Sequence, residues 1–200
     1  MKKVLSLLVI FAMLFSLASC GGSAEKETTG QKAQSASQES QPAGAGSKSL
    51  VAYFSCTGNT KAVAEKIADL TGAELYEIVP ETPYTDEDLD YNNDDCRANK
   101  EMNDPSARPV IGSDPIDTAA YDTIYIGFPI WWGTMPRIID TFLDTYDLSG
   151  KTVMPFCTSG GSGISQAVES MKQAEPDAII KEGLQASGPD DSELTTWLGN

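Results

Sequence analysis

The chain has 200 residues, of which 14 are Lys or Arg, 29 are Asp or Glu and none is histidine, for a formal net charge of −15. Without histidine, Ser-His-Asp and Cys-His catalysis, His-ligated zinc and an imidazole pH switch are all excluded. A basic nucleic-acid footprint is missing as well, and from Ser49 onward nine basic residues face 26 acidic ones, a balance that favours docking against basic surfaces and repels phosphate backbones at long range.

Residues 1–19 read as an export signal. Lys2 and Lys3 precede an apolar run from Val4 to Leu17 that is too short for a convincing spanning helix, and Leu17-Ala18-Ser19-Cys20 resembles a bacterial lipobox. Acylation of Cys20 on its sulfur and its new amino group would satisfy the two-signal requirement for stable membrane anchoring. The chain is therefore expected at the outer face of the cytoplasmic membrane or on an outer membrane. Residues 20–48 then run through Gly, Ser, Ala, Gln, Glu and Lys with no aromatic, Val, Ile, Leu or Met after Cys20, a composition that cannot offset the entropy of folding. A flexible tether of this length spans about 30 Å.

Residues 49–200 alternate between strand and helix periods. Leu50–Phe54 is a short apolar run suited to a buried parallel strand. In Thr60–Thr71, Val63, Ile67 and Leu70 recur at helical spacing before a capping Gly72. Leu75–Val79 reads as a second strand closed by Pro80, and Thr123–Phe128 as a third. Pro136–Tyr146 reads as a helix with Pro at its first position. Thr152–Cys157 and Ala178–Leu184 complete five strands, with helices over Ser165–Ala174 and Ser192–Leu198. Such alternation implies right-handed crossovers and a parallel sheet covered on both faces. Residues 81–106 fit this plan poorly: nine acidic residues, two bases and sparse apolar positions leave only a helix somewhere in Asp86–Met102 to be expected.

Ligands of an open parallel sheet bind beyond the carboxyl ends of its strands, and three such ends carry unusual residues. Ser55-Cys56-Thr57-Gly58-Asn59-Thr60 offers hydroxyls, a glycine and backbone N–H groups at the positive end of a helix, a phosphate site that needs no buried cation. It has neither the Walker nor the dinucleotide glycine pattern. Pro129-Ile130-Trp131-Trp132-Gly133 places two adjacent tryptophans in a loop bounded by prolines, which a flat aromatic ligand would explain. Thr158-Ser159-Gly160-Gly161 allows close backbone approach to a polar ring edge.

Together these segments resemble the flavodoxin family over Ser49–Trp197, Ser-x-Thr-Gly-Asn-Thr being the most specific match. The resemblance implies a flavodoxin-like three-layer α/β sandwich with strand order 2-1-3-4-5. It implies FMN, its phosphate held by Ser55, Thr57, Asn59, Thr60 and the Gly58 amide, its ring stacked on Trp131 or Trp132 beside Pro129, Ile130 and Gly133, and its pyrimidine side approached by Thr158, Ser159, Gly160 and Gly161. Gly133 is also the candidate for a peptide that reorients with redox state. The function so implied is non-covalent FMN electron transfer with a redox partner protein or small-molecule acceptor. The alternatives are an NAD(P)H-dependent quinone or related oxidoreductase and a flavin-free ligand-binding lipoprotein. The acidic crossover after Pro80 and the export signal depart from the family pattern.

Cys56, Cys96 and Cys157 remain beside Cys20. Cys56 and Cys157 would lie on strands separated by a third, beyond comfortable disulfide geometry, whereas Cys96 could reach either. With no histidine to activate a thiol, and no Cys-x-x-Cys, neither a catalytic cysteine nor a metal site is expected.

Overall fold

The structure, a computed structural model, describes residues 48–199; the expected export signal, Cys20 and the linker up to residue 47 lie outside them. Six strands and five helices follow in chain order: β1 (Ser49–Tyr53), α1 (Asn59–Thr71), β2 (Glu74–Glu77), α2 (Arg97–Asn103), β3 (Thr123–Pro129), α3 (Arg137–Thr145), β4 (Thr152–Thr158), α4 (Ser165–Ala174), β5 (Ile179–Ile180), β6 (Leu184–Gln185) and α5 (Asp191–Leu198). The sheet runs β2-β1-β3-β4-β5, with β6 also on β4 and every ladder parallel. No described helix is long and apolar enough to cross a membrane.

Strand side chains alternate between two cores, as a period of two requires. Leu50, Ala52 and Phe54 join Ile124, Ile126 and Phe128 under α3 and α4, while Val51 and Tyr53 join Tyr125 and Phe156 under α1 and α5. This is why β1 and β3 read as continuous apolar runs: each is buried on both faces. Within α1 the stripe Val63, Ala64, Ile67 and Ala68 faces the sheet, and Gly72, at φ 72°, ends the helix by donating its N–H to the Ala68 carbonyl at 2.8 Å.

Two expectations are corrected. Pro136 precedes the first residue of α3 with extended backbone (ψ 150°), so it stands at the cap rather than inside the helix. The fifth strand is broken: β4 advances three residues from Val153 to Phe156 while its neighbour advances four, from Ile180 to Leu184. The extra residue makes a bulge, and Gly183 within it lies so close to α4 that a Cβ would come within 2.9 Å of Ile164 and Val168. In the acidic crossover, a 3-10 turn at Glu87–Leu89 precedes α2, which is shorter than the window expected for it. Ala98 and Met102 bury in the α3–α4 core, and Arg137 of α3 donates to the Met102 carbonyl at 3.1 Å, satisfying the end of α2.

Candidate functional site

The carboxyl ends of β1, β3 and β4 open onto one cavity of about 490 Å³, within the range of small-molecule sites. No charged side chain lines it. At one end the loop after β1 turns into α1 through Gly58 at φ 86°, with no side chain capping the helix and no acid in its first turn. α5 differs: Asp190 caps it, and Asp191 and Glu193 occupy its first turn. In so acidic a domain, α1 leaves its positive end open to an anion. The Gly58 N–H donates to Ser55 Oγ at 3.1 Å, and Asn59 Nδ2 donates to Thr57 Oγ1 at 3.1 Å. Thr60 and Thr158 share a hydroxyl–hydroxyl bond of 2.8 Å, tying the first loop to the end of β4.

The aromatic loop after β3 is a two-residue turn. Trp131 and Thr134 exchange both backbone hydrogen bonds, at 2.9 and 3.0 Å, and the residues between them lie at φ 48° for Trp132 and 79° for Gly133. Two positive φ values define a type I′ turn. Gly133 enters that region freely, whereas Trp132 pays roughly 1–2 kcal/mol for it.

The turn separates the two rings: Trp131 is buried at 4% exposure and Trp132 is 43% exposed. Trp131 meets the edges of Phe54 at 5.6 Å and Tyr84 at 5.3 Å. Tyr84 is in turn held by the crossover, with the Arg97 guanidinium 4.1 Å from its ring centroid and its hydroxyl donating to Glu101. Arg97 also bonds Glu101 Oε1 and the Thr82 carbonyl, each at 2.7 Å.

Of the residues expected from sequence, Thr57, Asn59, Thr60, Pro129, Ile130, Trp131, Thr158, Ser159 and Gly160 line the cavity together. Ser55 lines a separate small cavity beneath the loop, and Trp132 lines a neighbouring cleft. Gly58, Gly133 and Gly161 shape the turns without forming the wall. Beside Ala62 of α1, two further groups without a sequence expectation line the cavity. Leu89 and Tyr91 arrive from the acidic crossover, and Ala186–Pro189 from the loop between β6 and α5. The second was available as a fourth strand-end loop, Ser-Gly-Pro; Tyr91 had no signal beyond being aromatic within an acidic run.

The three described cysteines are all free. Surrounding protein pushes the Cys56 thiol up to about 11 although solvent touches it, the opposing pull of Arg97 being smaller, and burial pushes Cys157 up to about 12. Both are protonated at neutral pH and are poor nucleophiles. Cys96 caps α2, its sulfur accepting the Asn99 N–H at 3.3 Å.

A family model for Flavodoxin matches residues 48–200. Among solved structures, a Bacteroides eggerthii flavoprotein is 47% identical, with a TM-score of 0.74, covering 77% of this chain and 97% of its own. A Bacteroides uniformis flavoprotein is 42% identical, with a TM-score of 0.74, covering 78% and 99%. The flavoprotein of Lactobacillus acidophilus in complex with FMN is 30% identical, with a TM-score of 0.61, covering 76% and 99%. A search of curated proteins gives no match.

Proposed function

The chain belongs to the flavodoxin family, and on that premise we propose that it is an FMN-binding electron-transfer protein, lipid-anchored through Cys20 at the outer face of a bacterial membrane. The observation that carries the cofactor is the uncharged cavity of about 490 Å³ running from the uncapped start of α1 to the Trp131 wall. It supplies what a phosphorylated flat ring requires: N–H and hydroxyl donors at one end and an aromatic surface at the other. The Lactobacillus acidophilus relative in complex with FMN supports the same reading.

Thr57, Asn59 and the first-turn amides of α1 would hold the phosphate, Thr60 and Thr158 would brace that end, and Trp131 with Pro129 and Ile130 would wall the ring. Ser159 and Gly160 would approach its polar edge. Bound FMN supplies reversible one- and two-electron chemistry. The protein contributes position, an aromatic and aliphatic wall at the ring end and an acidic surround that disfavours added negative charge. That surround also favours a basic partner surface, which supports electron exchange by docking.

The anchor and the cofactor are tested together by fractionating cells that express the full chain. Flavin absorbance is expected to travel with the protein in the membrane fraction, and labelled fatty acid is expected to be incorporated into the chain and lost in Cys20→Ser. Flavin-free protein in the membranes rejects the cofactor, and equal labelling of Cys20→Ser, or labelling of neither chain, rejects the anchor.

A further inference from the structure

The chain enters the sheet at the end opposite the cavity. Lys48 precedes β1, and its carbonyl accepts the N–H groups of Asp122 at 2.9 Å and Thr123 at 3.4 Å, which fastens the entering backbone at the amino ends of β1 and β3. The Lys48 ammonium lies 3.7 Å from Glu74, whose carboxylate also accepts the Tyr121 hydroxyl, and Lys151 donates to the Tyr121 carbonyl at 2.8 Å. The cavity opens beyond the carboxyl ends of the strands. The seven residues of β4 separate the two ends, a distance of about 20 Å at about 3.3 Å per residue.

Little on this surface can hold the domain to anionic lipid. Nine basic residues stand against 26 acidic ones from Ser49 onward, and seven of those nine are paired with a carboxylate among the described residues. Acids stand at both ends of the sheet. Asp122, Asp147 and Asp177 are exposed just before β3, β4 and β5, and residues 86–95, with six acids and no base, carry Leu89 and Tyr91 to the cavity wall. An anionic bilayer therefore repels either end within a Debye length, about 8 Å at physiological ionic strength. Repulsion acts over the whole body whereas a tether pulls at one point, so the point of attachment is drawn to the surface and the opposite end is driven outward.

We propose that the surplus negative charge and the attachment at the amino ends of the sheet together orient the anchored protein, holding the cavity mouth away from the bilayer and open to a water-soluble partner protein. The proposal rests on the Cys20 anchor of the functional reading and deepens it by naming the side from which the partner comes. A redox molecule dissolved in the lipid would then not reach the cavity.

The test places the full acylated chain on phosphatidylglycerol vesicles that carry an acceptor dye in the bilayer. The donor dye is attached at Ser149→Cys, on the exposed turn before β4, or at Ser162→Cys, on the exposed loop after it. Cys56, which is exposed, is replaced by Ser in both variants, and Cys96 and Cys157 are buried, so the dye goes to the introduced thiol; circular dichroism verifies each fold. At about 0.1 M salt, energy transfer from position 149 is expected to be at least about twofold more efficient than from position 162, and the difference is expected to shrink at about 1 M salt, where the Debye length falls to about 3 Å. Acrylamide added to the water is expected to quench the dye at position 162 as strongly on vesicles as in detergent solution. Equal transfer from the two positions, or a difference that salt leaves unchanged, would overturn the proposal. Stronger transfer from position 162, or loss of its acrylamide quenching on vesicles, would place the mouth at the bilayer and favour a lipid-dissolved partner instead. A chain that fails to float with the vesicles would reject the anchor, and the proposal with it, whereas a floating chain with equal transfer rejects the orientation alone.

Discussion

Trp131→Ala is expected to lower the unfolding free energy by about 3–5 kcal/mol, the usual cost of truncating a buried Trp or Phe. The side chain is 4% exposed and closes the end of the sheet, its ring against Phe54 and Tyr84. Removing it opens a void and deprives both rings of an edge contact worth about 0.5–1.5 kcal/mol in such pairs. Domains of this kind have only about 5–15 kcal/mol in total, so a large part of the stability is at stake. Trp131→Phe, which keeps an aromatic plug, should recover much of it. Urea unfolding followed by far-ultraviolet circular dichroism measures both variants, and a change below about 1 kcal/mol for Trp131→Ala would mean that the ring is not the structural wall described.

Gly127→Ala is expected to destabilise the centre of the sheet by about 3 kcal/mol, the upper end of ordinary overpacking. Gly127 on β3 pairs in register with Phe156 on β4. A Cβ there would lie 2.1, 2.5 and 2.8 Å from three Phe156 ring atoms. The Phe156 ring is wholly buried, with Trp197 of α5 at 6.3 Å, and has little room to retreat. The glycine is thus required for space and not for its backbone freedom. Phe156→Leu in the same chain should restore part of the loss, because contacting residues couple. Additive losses in that double variant, measured by urea unfolding, would show that the ring is not what the methyl meets.

The strand-and-helix plan is legible wherever apolar spacing is strong: Ser165–Ala174 coincides with α4, β1 lies one residue earlier than expected, and β3 and β4 start where expected and run one residue longer. The last strand reads as continuous because Ile179, Ile180 and Leu184 are apolar, while the bulge that divides them depends on how closely Gly183 approaches α4. A helix is expected within Asp86–Met102 and α2 occupies the end of that window, but its bounds are not legible because Ala98 and Met102 are its only buried apolar residues beside a buried Asn99, too few for a periodic signal. Its place is set by tertiary contacts, through Arg97 on Tyr84 and Arg137 on the Met102 carbonyl. The same holds for the site. Loops that end strands announced themselves through Thr-Gly-Asn-Thr, Trp-Trp-Gly and Ser-Gly-Gly, whereas Tyr91 reaches the cavity through a crossover whose path no local pattern encodes.

The uncapped start of α1 is expected to bind the phosphate of a flavin whose ring lies at the Trp131 wall. The most direct measurement is a titration of the flavin-free full chain with FMN and, separately, riboflavin, followed by flavin absorbance and tryptophan quenching. One FMN per chain is expected, with riboflavin bound roughly 10- to 150-fold more weakly, the factor that corresponds to about 1.5–3 kcal/mol for hydrogen bonds to a charged group. Equal affinity for the two flavins, or no uptake of either by a folded chain, would contradict it.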